Sequence, residues 1–162
     1  MKFTARHEFD AGVERVFAMC VDPAFLSQVC RDIGALDHGV EILPAHPGAV
    51  TRVNLETETV PALAPLAGPT LRVAQEMAWA APDADGARTA RLLIQVVGFP
   101  VVMDAAARLA PTASGATIEY DGALKVDMPL VGGVIERKAA PFVLEVLDIQ
   151  QASGNRWLAT HP

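Results

Sequence analysis
The stretch ATIEYDGALKVDMPLVGGVIERKAAPFVLEVLDIQ, residues 116–150, decides how this chain folds. Up to Asp127 apolar and polar residues alternate. Ile118, Tyr120, Leu124 and Val126 share one face, and Glu119, Asp121, Lys125 and Asp127 the other. A period of two predicts a half-buried strand over Ala116–Asp127. Beyond Met128-Pro129-Leu130 and the pair Gly132-Gly133 the spacing lengthens. Val134, Ile135, Lys138, Phe142, Val146, Ile149, Ser153 and Trp157 recur at three and four, the signature of an amphipathic helix. Pro141 has no N–H and its ring crowds the preceding turn, so a kink or break is expected near Ala140.

Upstream, the same period of two runs back to Ala35. Leu36, His38, Val40 and Ile42 share one face; so do Thr51, Val53, Leu55 and Thr57, and then Leu71, Val73, Gln75, Met77 and Trp79. Asp83-Ala84-Asp85-Gly86 reads as a turn, followed by strands over about Arg88–Val97 and Val101–Ala110. At the N-terminus, Phe3, Ala5, His7 and Phe9 alternate with Lys2, Thr4, Arg6 and Glu8 in a further strand. Two short helices follow, near Val13–Cys20 and from the cap Asp22, with Pro23 in the first helical position, to about Arg31. The order is β, α, α, six strands, α. Strands joined by short turns form antiparallel meanders, and the apolar face of such a sheet needs a cover. The terminal helix is the large cover on offer. The expectation is an α+β fold with a seven-stranded curved antiparallel sheet around a long C-terminal helix, as a single domain over 1–162.

Composition agrees with a packed core. Of 162 residues 51% are apolar and 20% charged. Nineteen acids against 13 Lys plus Arg give a net charge of -6, the reverse of a nucleic-acid binder's balance. Cys20 and Cys30 are too few for a disulfide framework, and both fall in helices, where they read as buried thiols. The charged, alternating start lacks the apolar region of a signal peptide, and no run approaches the length of a membrane span. A cytoplasmic protein without stable membrane insertion is expected. Only 6% of residues are aromatic, whereas 28 are alanine. With Ala5, Ala105, Ala107 and Gly122 on inward faces, this predicts a hollow under the helix.

Several blocks resemble those of the START-like (SRPBCC, helix-grip) superfamily, and more narrowly an uncharacterised actinobacterial group within it. They are Phe9-Asp10-Ala11 leading to Glu14-Arg15-Val16-Phe17, Asp22-Pro23, Gly34-Ala35-Leu36-Asp37-His38, Gly68-Pro69-Thr70-Leu71-Arg72-Val73, and Val126-Asp127-Met128-Pro129-Leu130-Val131-Gly132-Gly133 with Ile135-Glu136. The last block is the most specific. The resemblance spans nearly the whole chain and implies a helix-grip fold with a ligand cavity. It brings no catalytic motif, because the superfamily binds and transforms many unlike ligands.

The residues themselves carry no nucleophile elbow, phosphate loop, dinucleotide fingerprint or zinc-binding H-E-x-x-H. Gly132-Gly133 reads as close packing at a helix entry rather than an anion site. His7 and His38 both fall on apolar strand faces, at what the resembled fold makes opposite edges of the sheet. They could enter one cavity from two sides as polar groups that orient a ligand, or each could be a hydrogen-bonded core histidine. Two histidines do not complete a metal site. Thr51, Thr57, Gln75 and Tyr120 are inward polar groups that need partners. The uncharged connection from Val60 to Pro69 reads as a plug in one end of the sheet, a lid over a cavity mouth, or a contact with a membrane or partner. The expected ligand-binding residues are His7, His38, Leu55, Gln75, Met77, Trp79, Tyr120 and Phe142, with no cofactor, no metal and no assigned catalytic residue. The expected function is binding of an apolar small molecule or lipid by a monomer or homodimer. The alternatives are a cyclase or dehydratase using His7, His38 or Tyr120, and a partner-binding module with a filled core.

Overall fold
In the computed structural model, which describes residues 1–61 and 63–162, the alternating segments pair into one sheet. The strands are β1 (Lys2–Phe9), β2 (Asp37–Ala45), β3 (Gly48–Glu58), β4 (Thr70–Trp79), β5 (Arg88–Val96), β6 (Val101–Pro111) and β7 (Ala116–Val126). They lie in the order β1-β7-β6-β5-β4-β3-β2, every neighbour antiparallel. The helices are α1 (Val13–Cys20), α2 (Pro23–Asp32), the single turn α3 (Ala64–Ala67) and α4 (Gly132–Thr160). The chain has the α+β helix-grip architecture, with α4 packed against β1 and β7 and beside α1 and α2. The Asp22 carboxylate caps α2 by accepting the Ala24 N–H at 2.8 Å. Among the described residues no helix is long and apolar enough to cross a membrane.

The strand registers arrange the inward side chains in rows across the sheet. At one end stand His7, Ile118, Leu109 and Arg88. The next row is Ala5, Tyr120, Ala107, Ala90, Trp79 and Ala49. Then come Phe3, Gly122, Ala105, Leu92, Met77, Thr51 and Ile42, followed by Leu124, Met103, Ile94, Gln75, Val53 and Val40. The far end holds Val126 beside Val101, and Val96, Val73, Leu55 and His38 in line.

These rows correct the expected hollow. In the second row the two largest aromatic side chains, Tyr120 and Trp79, are each flanked by alanines, which leave room for the rings. Ala105 and Ala107 are buried at 1% and 2% exposure. A Cβ on Gly122 would lie 2.5 Å from the Ala105 Cβ, so the strands meet too closely there for any side chain. The small residues accommodate neighbours rather than leave space.

Two other expectations shift. Helix α4 runs unbroken through Pro141. The proline and Arg137, four residues earlier, both lie on the solvent side, where water can satisfy the carbonyl that has lost its helical donor. The inward line of α4 is Ile135, Ala139, Val143, Leu147 and Gly154; of the predicted series Ile135, Ser153 and Trp157 pack inward, but Val134, Phe142 and Val146 do not. Close approach sets this rotation. A Cβ on Gly154 would lie 2.7 Å from the Phe9 ring, and one on Gly132 would lie 2.2 Å from the Val126 carbonyl oxygen. Leu36 also departs from its predicted face: it precedes β2 and is 58% exposed at the sheet's edge. Of the Val60–Pro69 connection, Ala62 lies outside the described residues; Leu63 is buried in the core, and Leu66 is exposed.

Candidate functional site
Burial is uneven along the inward face. In the first two rows His7, Tyr120 and Trp79 are nearly inaccessible, as is Met77 in the third. In the last two rows Val40, Gln75 and Ile94, then His38, Leu55, Val73 and Val96, are only half-buried. The difference follows from where α4 lies. It covers the β1 and β7 side, and α2 fills the space between it and the edge strand β2.

The flank of α4 that faces this opening can be identified. Ser153 donates to Asp32 of α2 at 2.5 Å, and Arg156 donates to the same carboxylate at 2.8 Å. Burial alone would raise the Asp32 carboxyl, but hydrogen bonds from Ser153, Gln28 and Arg156 outweigh it and hold the group below its ordinary range. Phe142 is three helical turns before Ser153 and so lies on the same flank. Val131, Val134 and Val146 lie near it and are likewise exposed. An apolar flank of α4 and the half-buried inward residues of β2–β5 are thus both incompletely covered, and a groove between them is the candidate site.

The structure divides the eight candidate ligand-binding residues into two sets and one outlier. His38, Leu55 and Gln75 belong to the half-buried rows, and Phe142 is exposed on α4. Met77, Trp79 and Tyr120 lie deeper in the closed core. His7 and His38 are not brought together. They stand on opposite edges and in rows four apart, roughly 27 Å along the strand direction at about 3.4 Å per residue.

His7 sits under α4 with its ring edge-on to Tyr120 at 5.1 Å and to Phe9 at 6.3 Å, and its Nε2 has no partner among the described residues. Burial pushes its pKa down to about 4, against smaller opposing effects of the Leu147 carbonyl and the Asp148 charge, so the imidazole is neutral at pH 7. Burial drives the Tyr120 phenol well above its ordinary value. Neither group has the pKa near 7 that acid–base catalysis favours.

Arg88 is a residue the sequence reading did not single out. It points inward at 7% exposure, lies 3.8 Å over the Phe17 ring, donates to the Ala80 carbonyl at 3.3 Å and reaches Glu14 at 3.4 Å. Its even position in β5 placed it on the inward face with Ala90 and Leu92, and that phase was the available signal. It ties α1 to the end of the sheet farthest from the groove. Two recesses, of about 670 and 360 Å³, lie mainly against outward-facing side chains. Arg6, Arg108 and Glu119 rim the larger, and Glu56 and Arg72 line the smaller. Among the described residues no group of three His, Cys, Asp or Glu side chains could hold a metal ion.

Solved structures share this architecture. TTHA0849 from Thermus thermophilus is 15% identical with a TM-score of 0.69, covering 100% of each chain. A STAR-related lipid transfer protein from Xanthomonas axonopodis is 17% identical with a TM-score of 0.59, covering 94% of this chain and 85% of its own. Norcoclaurine synthase from Thalictrum flavum is 12% identical with a TM-score of 0.56, covering 99% and 87%. At these identities the likeness establishes the START-like fold alone. No curated protein matches the chain. A family model described as "Protein of unknown function (DUF2505)" matches residues 4–158.

Proposed function
Given that the chain belongs to the family described as protein of unknown function (DUF2505), we propose from its own geometry that it binds an apolar or amphipathic small molecule, such as a lipid, in the groove between α4 and the β2–β5 side of the sheet. The observation that carries this reading is the pairing of two incompletely buried apolar surfaces. Leu55, Val73 and Ile94 are half-buried and Val134, Phe142 and Val146 are exposed, and this reading sets the two apolar surfaces face to face across the ligand. Apolar area left facing water costs roughly 25 cal/mol per Å², and a ligand between the two surfaces recovers it. His38 and Gln75 supply the few polar contacts that typically orient a ligand in such a site. The names of two similar folds, one a lipid transfer protein and one a synthase, are compatible with ligand binding by this architecture. Binding is favoured over catalysis because, of the three candidate acid–base groups, His7 and Tyr120 are enclosed and lie away from the groove, which leaves His38 without a second such group beside it.

Fluorescence titration with 1-anilinonaphthalene-8-sulfonate tests the site. Wild type should bind the dye, and Leu55→Asn and Phe142→Asp should each weaken binding at least tenfold with little change in the unfolding midpoint. Absence of binding, or wild-type affinity in both variants, would overturn the assignment.

A further inference from the structure
Six of the nine exposed large apolar side chains among the described residues are not scattered; the other three, Phe142, Leu144 and Val146, lie farther along α4. Among the described residues Leu36, Leu66, Val97, Leu130, Val131 and Val134 all stand at one end of the sheet. Val134 is in the first turn of α4, and the other five come from four separate connections: α2–β2, the β3–β4 segment that contains α3, β5–β6, and β7 into α4. The opposite end, with the β2–β3, β4–β5 and β6–β7 turns, shows none among the described residues. Single aliphatic side chains at the tips of four connections do not form a continuous channel for a helix or strand. They form a set of contact points suited to a broad, soft surface.

Leu130 is the most exposed of them. Its side chain is fully accessible, and its backbone takes φ 68, a left-handed conformation that costs energy in a residue with a Cβ. The turn therefore holds an aliphatic side chain out into water.

Charge is segregated in the same direction. All three lysines of the chain, Lys2, Lys125 and Lys138, stand at this end with Arg72 and Arg137. They offset the carboxylates there, so the net charge of -6 belongs to the rest of the molecule. Lysines beside exposed aliphatic tips suit a phosphate-bearing apolar boundary, where the stems lie along acyl chains and the ammonium groups reach the headgroups.

We propose that this end of the sheet docks peripherally on a phospholipid bilayer, with Leu66, Val97, Leu130 and Val131 entering the headgroup boundary. The groove opens toward this end, because the half-buried rows lie next to these connections. This proposal rests on the exposed tips and the charge distribution, and it stands or falls separately from ligand binding in the groove.

Flotation with vesicles of phosphatidylcholine alone, and of phosphatidylcholine with phosphatidylglycerol, tests it. Wild type should float with the vesicles, more strongly with phosphatidylglycerol present. Leu130→Asp combined with Val97→Asp should reduce the bound fraction at least tenfold. Ala113→Asp, on the β6–β7 turn at the other end, and the groove variant Leu55→Asn should float as wild type does. Circular dichroism should show all of them folded, since every tip residue is already exposed. Failure to float with either composition, or flotation unchanged by the tip substitutions, would overturn the proposal. So would a dimer in sedimentation that Leu130→Asp converts to monomer, because a second copy would then be what covers this face.

Discussion
His7 shows how a single buried side chain can make the whole fold sensitive to pH. Burial, opposed weakly by the Leu147 carbonyl and Asp148, lowers its pKa from 6.5 to about 4. In the unfolded chain the imidazole takes up a proton below about 6.5, whereas the folded chain resists until about 4. The unfolded state therefore binds more protons across this window, and stability falls as pH drops through it. The effect is absent above about pH 7 and reaches roughly 3 kcal/mol at the acid end, at about 1.4 kcal/mol per pKa unit. Urea unfolding at pH 7.5 and pH 4 should show wild type losing about 2–3 kcal/mol more than His7→Leu. Because Nε2 has no partner among the described residues, an apolar replacement gives up only the ring's contact with the Leu147 carbonyl. Equal losses in the two proteins would place the acid sensitivity elsewhere. The inward orientation of His7 was legible from strand alternation. Its distance from His38 was not, because alternation gives a residue's face but not its row.

At the scale of the element, α4 separates hydrophobicity from packing. Of the residues whose spacing predicts the helix, Ile135, Ser153 and Trp157 do pack inward, whereas Val134, Phe142 and Val146 are exposed; Ala139 packs inward as well, and Gly132 and Gly154 make the close approaches. A helix approaches a sheet most closely through its smallest residues, and a hydrophobicity pattern does not register them as contacts. Pro141 was read correctly as a lost donor but not as a tolerated one, since the solvent exposure of Arg137 and Pro141 is a tertiary fact. Restoring the donor should stabilise the helix. Pro141→Ala removes a penalty of about 3 kcal/mol intrinsic to proline in a helix interior. It returns up to about 1 kcal/mol of entropy to the unfolded chain. A net gain of about 2 kcal/mol should appear as a higher thermal midpoint by calorimetry. A lower midpoint would mean that the proline ring makes contacts an alanine cannot replace.

For the whole molecule, closure at one end of the sheet and opening at the other implies linkage between occupancy and stability. A ligand that binds only the folded state adds about 2.7 kcal/mol when present at 100 times its Kd. In a chain of this size each kcal/mol moves the midpoint by roughly 2–4 °C. Thermal scans against a panel of fatty acids, sterols and aromatic compounds should yield at least one shift of several degrees, which Phe142→Asp should abolish. A panel with no shift would favour a groove that holds nothing of these classes. The sequence by itself determined the order of the seven strands and of α1, α2 and α4, the inward and outward faces of each strand and the cap of α2, because these follow from local periodicity and from side chains bonding to their own backbone. Only the tertiary structure decided the rotation of α4, the filling of space around Ala105, Ala107 and Gly122, the burial of Arg88 and the gathering of aliphatic tips at one end. Each of these depends on which distant backbone comes within contact distance, and strand register and helix placement set that for the chain as a whole.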